Sequence, residues 1–217
     1  MSYPKKVILR EDGPREGFQI LDKVVSTQEK LKLINSLVGS GAKSIEVTSF
    51  VRPDKVPQHA DAKEVSQGLE PTKGVRYRAL YLNELGFERA VACSKLQPEG
   101  CLTIASSEEF LKKNSNCTIQ DVLDKTSTWI GLFKKHGVVL ERLMVSCAFG
   151  DSISGKILPE QTLEVVRRVI SALDDVGETL PEVTFADTTG YADPEHCLLY
   201  TSPSPRDATL SRMPSSA

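Results

Sequence analysis

Four carboxylates and one arginine stand in short polar runs whose residue types could do chemistry. Arg15 and Glu16 lie in Arg10-Glu-Asp-Gly-Pro-Arg-Glu-Gly-Phe-Gln19, Glu46 in Glu46-Val-Thr-Ser-Phe50, Asp151 in Ser146-Cys-Ala-Phe-Gly-Asp151, and Asp187 in Ala186-Asp-Thr-Thr-Gly190. Carboxylates are hard oxygen donors suited to a divalent cation, and a guanidinium among them can pair with an anionic substrate. Each residue also has an ordinary structural reading. Glu46 follows an alternating run and can face solvent or pair with a lysine. Asp187, before Thr-Thr-Gly, can cap the next helix. Arg15 and Glu16 can belong to a solvated turn. His59, His136 and His196 are isolated and read as surface or structural groups. Cys93, Cys101, Cys117, Cys147 and Cys197 occur singly, without a C-x-x-C pair, and read as reduced thiols rather than a disulfide framework or zinc site. No Ser/His/Asp or Cys/His arrangement can be argued.

The elements around these runs decide which reading holds. Short apolar runs at residues 7–9, 43–47, 75–81, 101–105, 138–146 and 183–186 predict strands. Between them lie amphipathic stretches. Residues 28–37 place Leu31, Ile34 and Leu37 on one helical face, with Ser26 or Thr27 as N-cap and Gly39 and Gly41 marking the end. Helices are also expected over 60–69, 86–93 and 159–176, and over 119–135 with Val122, Leu123, Trp129, Ile130 and Phe133 buried. Strands alternating with helices imply parallel βα units. About six such units fit either an incomplete TIM (β/α)8 barrel or an open doubly wound sheet. The chain has no G-x-G-x-x-G after its first strand and no G-x-x-x-x-G-K-[ST], which removes the usual support for a nucleotide-binding open sheet and favours the barrel. In a barrel, reacting groups come from the C-terminal ends of strands and the loops after them, where the five residues fall.

Composition narrows the classes further. The 217 residues are 40% apolar and 26% charged with a formal net charge of -2, an ordinary globular balance. Basic residues are dispersed, so nucleic acid is not an expected partner. No run approaches the roughly 18–20 apolar residues of a membrane span, and the start reads as neither signal nor transit peptide, so the expected compartment is the cytoplasm. Residues 198–217 carry five serines and three prolines and no apolar face, and read as a disordered, non-native tail after a partial barrel domain at residues 1–197. A helix beginning at residues 193–195 is expected to be cut off in its first turn.

Gly13-Pro-Arg-Glu-Gly-Phe-Gln19 resembles the signature loop of the hydroxymethylglutaryl-CoA lyases, within the wider group of metal-dependent barrel lyases and Claisen-type synthases. The similarity continues through Val25-Ser-Thr27, Lys30-Leu-Lys-Leu-Ile34, Ile45-Glu-Val-Thr-Ser-Phe-Val51, Pro53-Asp-Lys-Val-Pro-Gln58, Ala60-Asp61, Lys112-Lys-Asn114, Val145-Ser-Cys-Ala148 and Asp187-Thr-Thr-Gly190, about nine tenths of the chain. It implies retro-Claisen cleavage of the acyl-CoA substrate 3-hydroxy-3-methylglutaryl-CoA to acetyl-CoA and acetoacetate, with Mg²⁺ or Mn²⁺. By the same resemblance Arg15 stabilises the enolate oxygen, Glu16 is the metal ligand, Glu46 and Asp187 are acidic catalytic residues, Gln19 and Ser49 bind substrate, and the full-length enzyme can be a homo-oligomer. The sequence departs from the family pattern in having Glu16 where Asp is usual, Asp151 where a second cysteine is usual, and no His-x-His. With those histidines absent, this chain alone is expected to be inactive. A Claisen-type synthase of the same group, which resembles a Leu-Arg-Asp-Gly pattern instead, and a non-catalytic fragment are the alternatives.

Overall fold

A parallel strand buried on both faces needs apolar side chains toward its covering helices and a satisfied layer on the other side. The computed structural model describes residues 8–201. These divide into two compact units, 8–99 and 100–201.

In the first unit, helix α1 (Gly13–Gln19) is followed by α2 (Thr27–Gly39), strand β1 (Ser44–Ser49), a 3₁₀ turn (Pro57–His59), α3 (Ala62–Gly68), β2 (Arg76–Leu80) and α4 (Glu84–Val91). The N-cap of α2 is Ser26: its hydroxyl accepts from the Glu29 amide while the Glu29 carboxylate accepts from the Ser26 amide. Ile34 is buried, and Leu31 and Leu37 pack beside it against a core containing Ile45, Val47, Val65 and Leu69. Strands β1 and β2 pair in parallel, and their register slips by one residue between Glu46 and Thr48. Ile45 and Val47 join the apolar core, so alternation turns Ser44 and Glu46 to the opposite face.

The strand expected at residues 7–9 is not formed where it can be seen. Ile8 and Leu9 are irregular and exposed, and pairing is limited to a single parallel bridge from Glu11 to Ile45. That bridge supplies two hydrogen bonds, Glu11 N to Ser44 O at 2.8 Å and Glu46 N to Glu11 O at 2.7 Å, too few to extend a strand. Val7 lies outside the described residues.

The second unit runs β3 (Gly100–Ala105), α5 (Glu108–Ser115), α6 (Ile119–Asp124), α7 (Thr126–Lys135), β4 (Leu140–Ser146), a hairpin of β5 (Gly150–Asp151) and β6 (Gly155–Lys156), α8 (Pro159–Asp174), β7 (Val183–Phe185) and α9 (Pro194–Thr201). Strands β3, β4 and β7 form a parallel sheet in that order. The single helix expected over residues 119–135 is two, because the Lys125 amide bonds to Val122 O in a tight 3₁₀-type closure. Of its expected core positions Leu123, Ile130 and Phe133 are buried, and Val122 and Trp129 half-buried. Helix α9 is not cut off in its first turn. It runs through Leu198 and Leu199 to Thr201, held by the Tyr200 hydroxyl donating to Ala148 O at 3.1 Å and by the Tyr200 ring stacked on Phe185. Residues 198–201, expected in a tail, are thus helical, and residues 202–217, where the rest of that tail is expected, lie outside the described residues.

One buried cation braces the first unit. Lys30, 1% exposed, donates to Gln58 O at 2.5 Å and to Asp61 Oδ1 at 2.6 Å, and Thr27 Oγ1 donates to the other Asp61 oxygen at 2.6 Å. Lys30→Met keeps the stem and strands Asp61, so it should cost about 3 kcal/mol of unfolding free energy, at the low end for such pairs because Asp61 retains some exposure. The check is a lowered urea midpoint at unchanged m value, with Lys30→Met, Asp61→Asn recovering part of the loss.

Candidate active site

The polar face of β1 and β2 collects charge. Arg15, on α1, reaches across to β1, where its Nε donates to Glu46 Oε2 at 3.1 Å. Glu46 is buried, which excludes the solvent-facing reading, and it lies mid-strand rather than at the strand end, since β1 continues to Ser49. Burial pushes the Glu46 carboxyl above its ordinary value; Arg15 opposes this, Asp12 adds to it, and Arg78 opposes it.

Arg78 faces Glu46 in register on β2 and is 2% exposed. Its three nitrogens are spread over Asp12 Oδ1 (2.8 Å), Glu99 Oε2 (3.4 Å) and Ser44 Oγ (2.9 Å). Cations and carboxylates therefore alternate along this face. Neither Arg78 nor Glu99 was legible as a site residue: each sits in a run that reads as ordinary strand or turn, with partners far away in sequence.

Glu16 is exposed and pairs with Arg15. Gln19 is half-buried one turn after Arg15, on the same face of α1. Ser49 ends β1 with its Oγ buried and without a hydrogen-bond partner among the described residues, an acceptor and donor available to a polar ligand. His59 is buried, and its Nε2 lies 3.0 Å from Arg15 O.

Asp187 belongs to the second unit, two residues past β7. It is exposed and caps a turn rather than a helix: Oδ1 accepts from the Tyr191 amide at 2.8 Å and Oδ2 from the Ala192 amide at 3.2 Å. Asp193 caps α9 instead, accepting from the His196 amide at 2.7 Å. The neighbouring Thr188 hydroxyl accepts from the Cys147 amide at 2.9 Å, and Cys147 holds a left-handed φ of 53° at the end of β4. Asp151 is buried in the β5–β6 hairpin, its Oδ1 accepting from the Ile153 and Ser154 amides at 2.7 and 3.0 Å.

The structure thus brings Arg15, Glu16 and Glu46 together within the first unit and sets Asp187 on the second. Among the described residues no three His, Cys, Asp or Glu side chains gather to hold a metal ion, and the Glu16 carboxylate is turned to Arg15. These residues alone do not fit a divalent cation.

Residues 6–199 match the family model described as HMGL-like. A mitochondrial hydroxymethylglutaryl-CoA lyase of Bos taurus is 37% identical over 193 residues, 89% of this chain and 57% of the relative. The solved structure of an HMG-CoA lyase from Bacillus subtilis superposes with a TM-score of 0.82 at 31% identity, over 99% of this chain and 67% of that one. An HMG-CoA lyase from Acinetobacter baumannii, in complex with coenzyme A and 3-methylmalate, matches with a TM-score of 0.78 at 28% identity, over 94% of this chain and 62% of that one. The likeness bears out the expected fold class, a parallel α/β TIM barrel of which this chain is a part. The chain spans 57% of the length of the curated relative.

The raised Glu46 pKa has a thermodynamic consequence. Between the ordinary value of 4.5 and the raised one, the folded chain binds more protons than the unfolded chain, so the contribution of Glu46 to stability falls as pH rises through that window. Glu46→Gln removes the slope. Its stability relative to the parent should therefore improve on going from acid to neutral pH, measured by denaturant titration at each; a constant difference would contradict the assignment.

Proposed function

The chain belongs to the HMGL-like family, and we propose that the whole protein is a carbon–carbon lyase cleaving 3-hydroxy-3-methylglutaryl-CoA to acetyl-CoA and acetoacetate. The observation that carries this reading is the guanidinium of Arg15, in the Gly-Pro-Arg motif at the start of α1, held on buried Glu46 of β1. Retro-Claisen cleavage removes the proton of the tertiary hydroxyl, breaks the adjacent carbon–carbon bond and leaves the electron pair on the thioester as an enolate. A fixed guanidinium beside that growing oxyanion lowers the barrier because it need not reorganise as charge develops.

In this reading Arg15 meets the enolate oxygen, Glu46 fixes Arg15, and Gln19 and Ser49 bind the substrate's polar groups. Asp187 orients the group that takes the hydroxyl proton. The divalent ion that the family resemblance implies, Mg²⁺ or Mn²⁺, would draw on Glu16, which the described residues do not complete to a ligand set. The roles given to Arg15, Glu46 and Asp187 do not pass through it. The Gly-Pro-Arg loop favours a lyase over a Claisen-type synthase. Coenzyme A in the A. baumannii lyase supports an acyl-CoA substrate. Among the described residues no helix is long and apolar enough to cross a membrane; relatives include mitochondrial and cytoplasmic forms, and the cytoplasm is the compartment we propose here.

The test is acetoacetate release from hydroxymethylglutaryl-CoA, with Mg²⁺ or Mn²⁺, by the product of the whole reading frame beside residues 1–217. We expect turnover in the first and none in the second; comparable rates in both would overturn the inactivity of the shorter chain, and none in the first would overturn the lyase reading. In the active protein Arg15→Ala should lower kcat about 100- to 1,000-fold, the effect of removing one oxyanion stabiliser. Unchanged turnover would remove Arg15 from the chemistry.

A further inference from the structure

A side chain that meets a developing charge is only as well placed as the backbone that carries it. Helix α1 has seven residues and no side-chain hydrogen bond at its N-cap, Asp12, so little within it fixes its own position. The ties come from outside. His59 is 3% exposed, on the turn between β1 and α3. Its Nε2 lies 3.0 Å from Arg15 O and its Nδ1 3.5 Å from Thr48 Oγ1. A carbonyl oxygen only accepts, so the ring hydrogen is on Nε2. In the neutral ring Nδ1 is then an acceptor, and the Thr48 hydroxyl can donate to it.

Thr48 and Glu46 are two residues apart on β1. Arg15 is therefore held from one strand at both its ends: Glu46 accepts from its guanidinium, and Thr48 reaches its carbonyl through the imidazole. The turn that carries His59 is itself braced. Lys30 donates to Gln58 O at 2.5 Å, and Gln58 Nε2 donates to Leu21 O at 2.6 Å, just past the end of α1.

We propose that His59 is a positioning residue for Arg15, its Nε2–H fixing the helical turn that aims the guanidinium. The proposal rests on the reading that Arg15 acts on the substrate. Burial pushes the imidazole pKa down, and the nearby Lys30 and Arg15 cations act in the same direction, while the hydrogen bond to Arg15 O and the Asp61 carboxylate oppose it. The net direction favours the neutral ring that the geometry requires.

Two variants test it. His59→Gln places an amide N–H near the position of Nε2–H, and His59→Leu fills the space without a donor. In residues 1–217, backbone amide exchange over residues 13–21 should quicken in His59→Leu and stay at the parent rate in His59→Gln, and the ¹⁵N spectrum of the parent imidazole should place its hydrogen on Nε2. In the whole protein, His59→Leu should lose about 100-fold in kcat, the scale of a small misplacement of a reacting group, with a far smaller change in KM, and His59→Gln should restore most of it. Equal exchange in all three proteins, a hydrogen on Nδ1, undiminished turnover in His59→Leu, or equal loss in both variants would each overturn the proposal. If the unsubstituted whole protein releases no acetoacetate from hydroxymethylglutaryl-CoA, the lyase reading falls, and the exchange and ¹⁵N measurements still decide whether His59 fixes the Arg15 turn.

Discussion

A carboxylate in the middle of a buried strand is tolerated only where cations reach it, and Glu46 is reached by Arg15 through one hydrogen bond of 3.1 Å. A hydrogen bond to a charged group contributes about 1.5–3 kcal/mol, against an effective desolvation cost of several kcal/mol for each buried ion. Arg15 alone does not balance that cost, and the Glu46 carboxyl is accordingly displaced upward. The rest of the first unit follows from this shortfall. Arg78 stands opposite Glu46 in register, and Asp12, Glu99 and Ser44 occupy the guanidinium of Arg78 in turn. The face of β1 and β2 opposite the apolar core, which could have carried Val and Ile, carries ions that pair with one another.

Such a layer is weak evidence for stability, because well-packed apolar groups of the same volume often do as well or better. Its value is orientation. With each of the three guanidinium nitrogens of Arg78 engaged, the polar face of β2 has little freedom, and Glu46 meets Arg15 from a strand rather than from a loop. The apolar side of the same two strands, with Ile45 and Val47 among the residues packed beneath α2 and α3, carries the hydrophobic driving force. One face of β1 holds the unit together while the other positions charge.

What the sequence disclosed follows from the range of each interaction. Apolar periodicity is local, so β1 to β4, β7, α2 to α4 and α8 were legible to within a few residues. Helix α5 was not. Its residues Glu108-Glu-Phe-Leu-Lys-Lys-Asn-Ser115 carry only two apolar side chains, and it is specified mainly by its ends, Ser107 accepting from the Phe110 amide and Asn116 closing it with a φ of 50°. The break between α6 and α7 was invisible because Leu123, Thr126, Ile130 and Phe133 continue one helical stripe across it. The β5–β6 hairpin is too short for alternation to register. Arg15, Glu16 and Glu46 stood out as charged residues in polar runs beside expected strands, with their roles implied by the family resemblance, whereas Arg78, Glu99 and His59 are defined by partners 11 to 66 residues away, which no local pattern contains.

The two units also hold their acidic groups by different means. Asp187 is fixed by two backbone amides only a few residues further on, so its geometry is a property of one turn and needs no charged neighbour. Glu46 depends on an arginine 31 residues away, on a short helix whose own placement depends on the turn at Pro57–His59. A local perturbation near Asp187 should stay local. A perturbation anywhere along the chain of contacts from Lys30 through Gln58 and His59 to Arg15 is transmitted to Glu46, because the first two ties end on the backbone carbonyls of Gln58 and Arg15 and the last is the Arg15 guanidinium on the Glu46 carboxylate. The outer buried lysine and the inner guanidinium are in this sense one construction, joined through main-chain atoms rather than through side-chain packing.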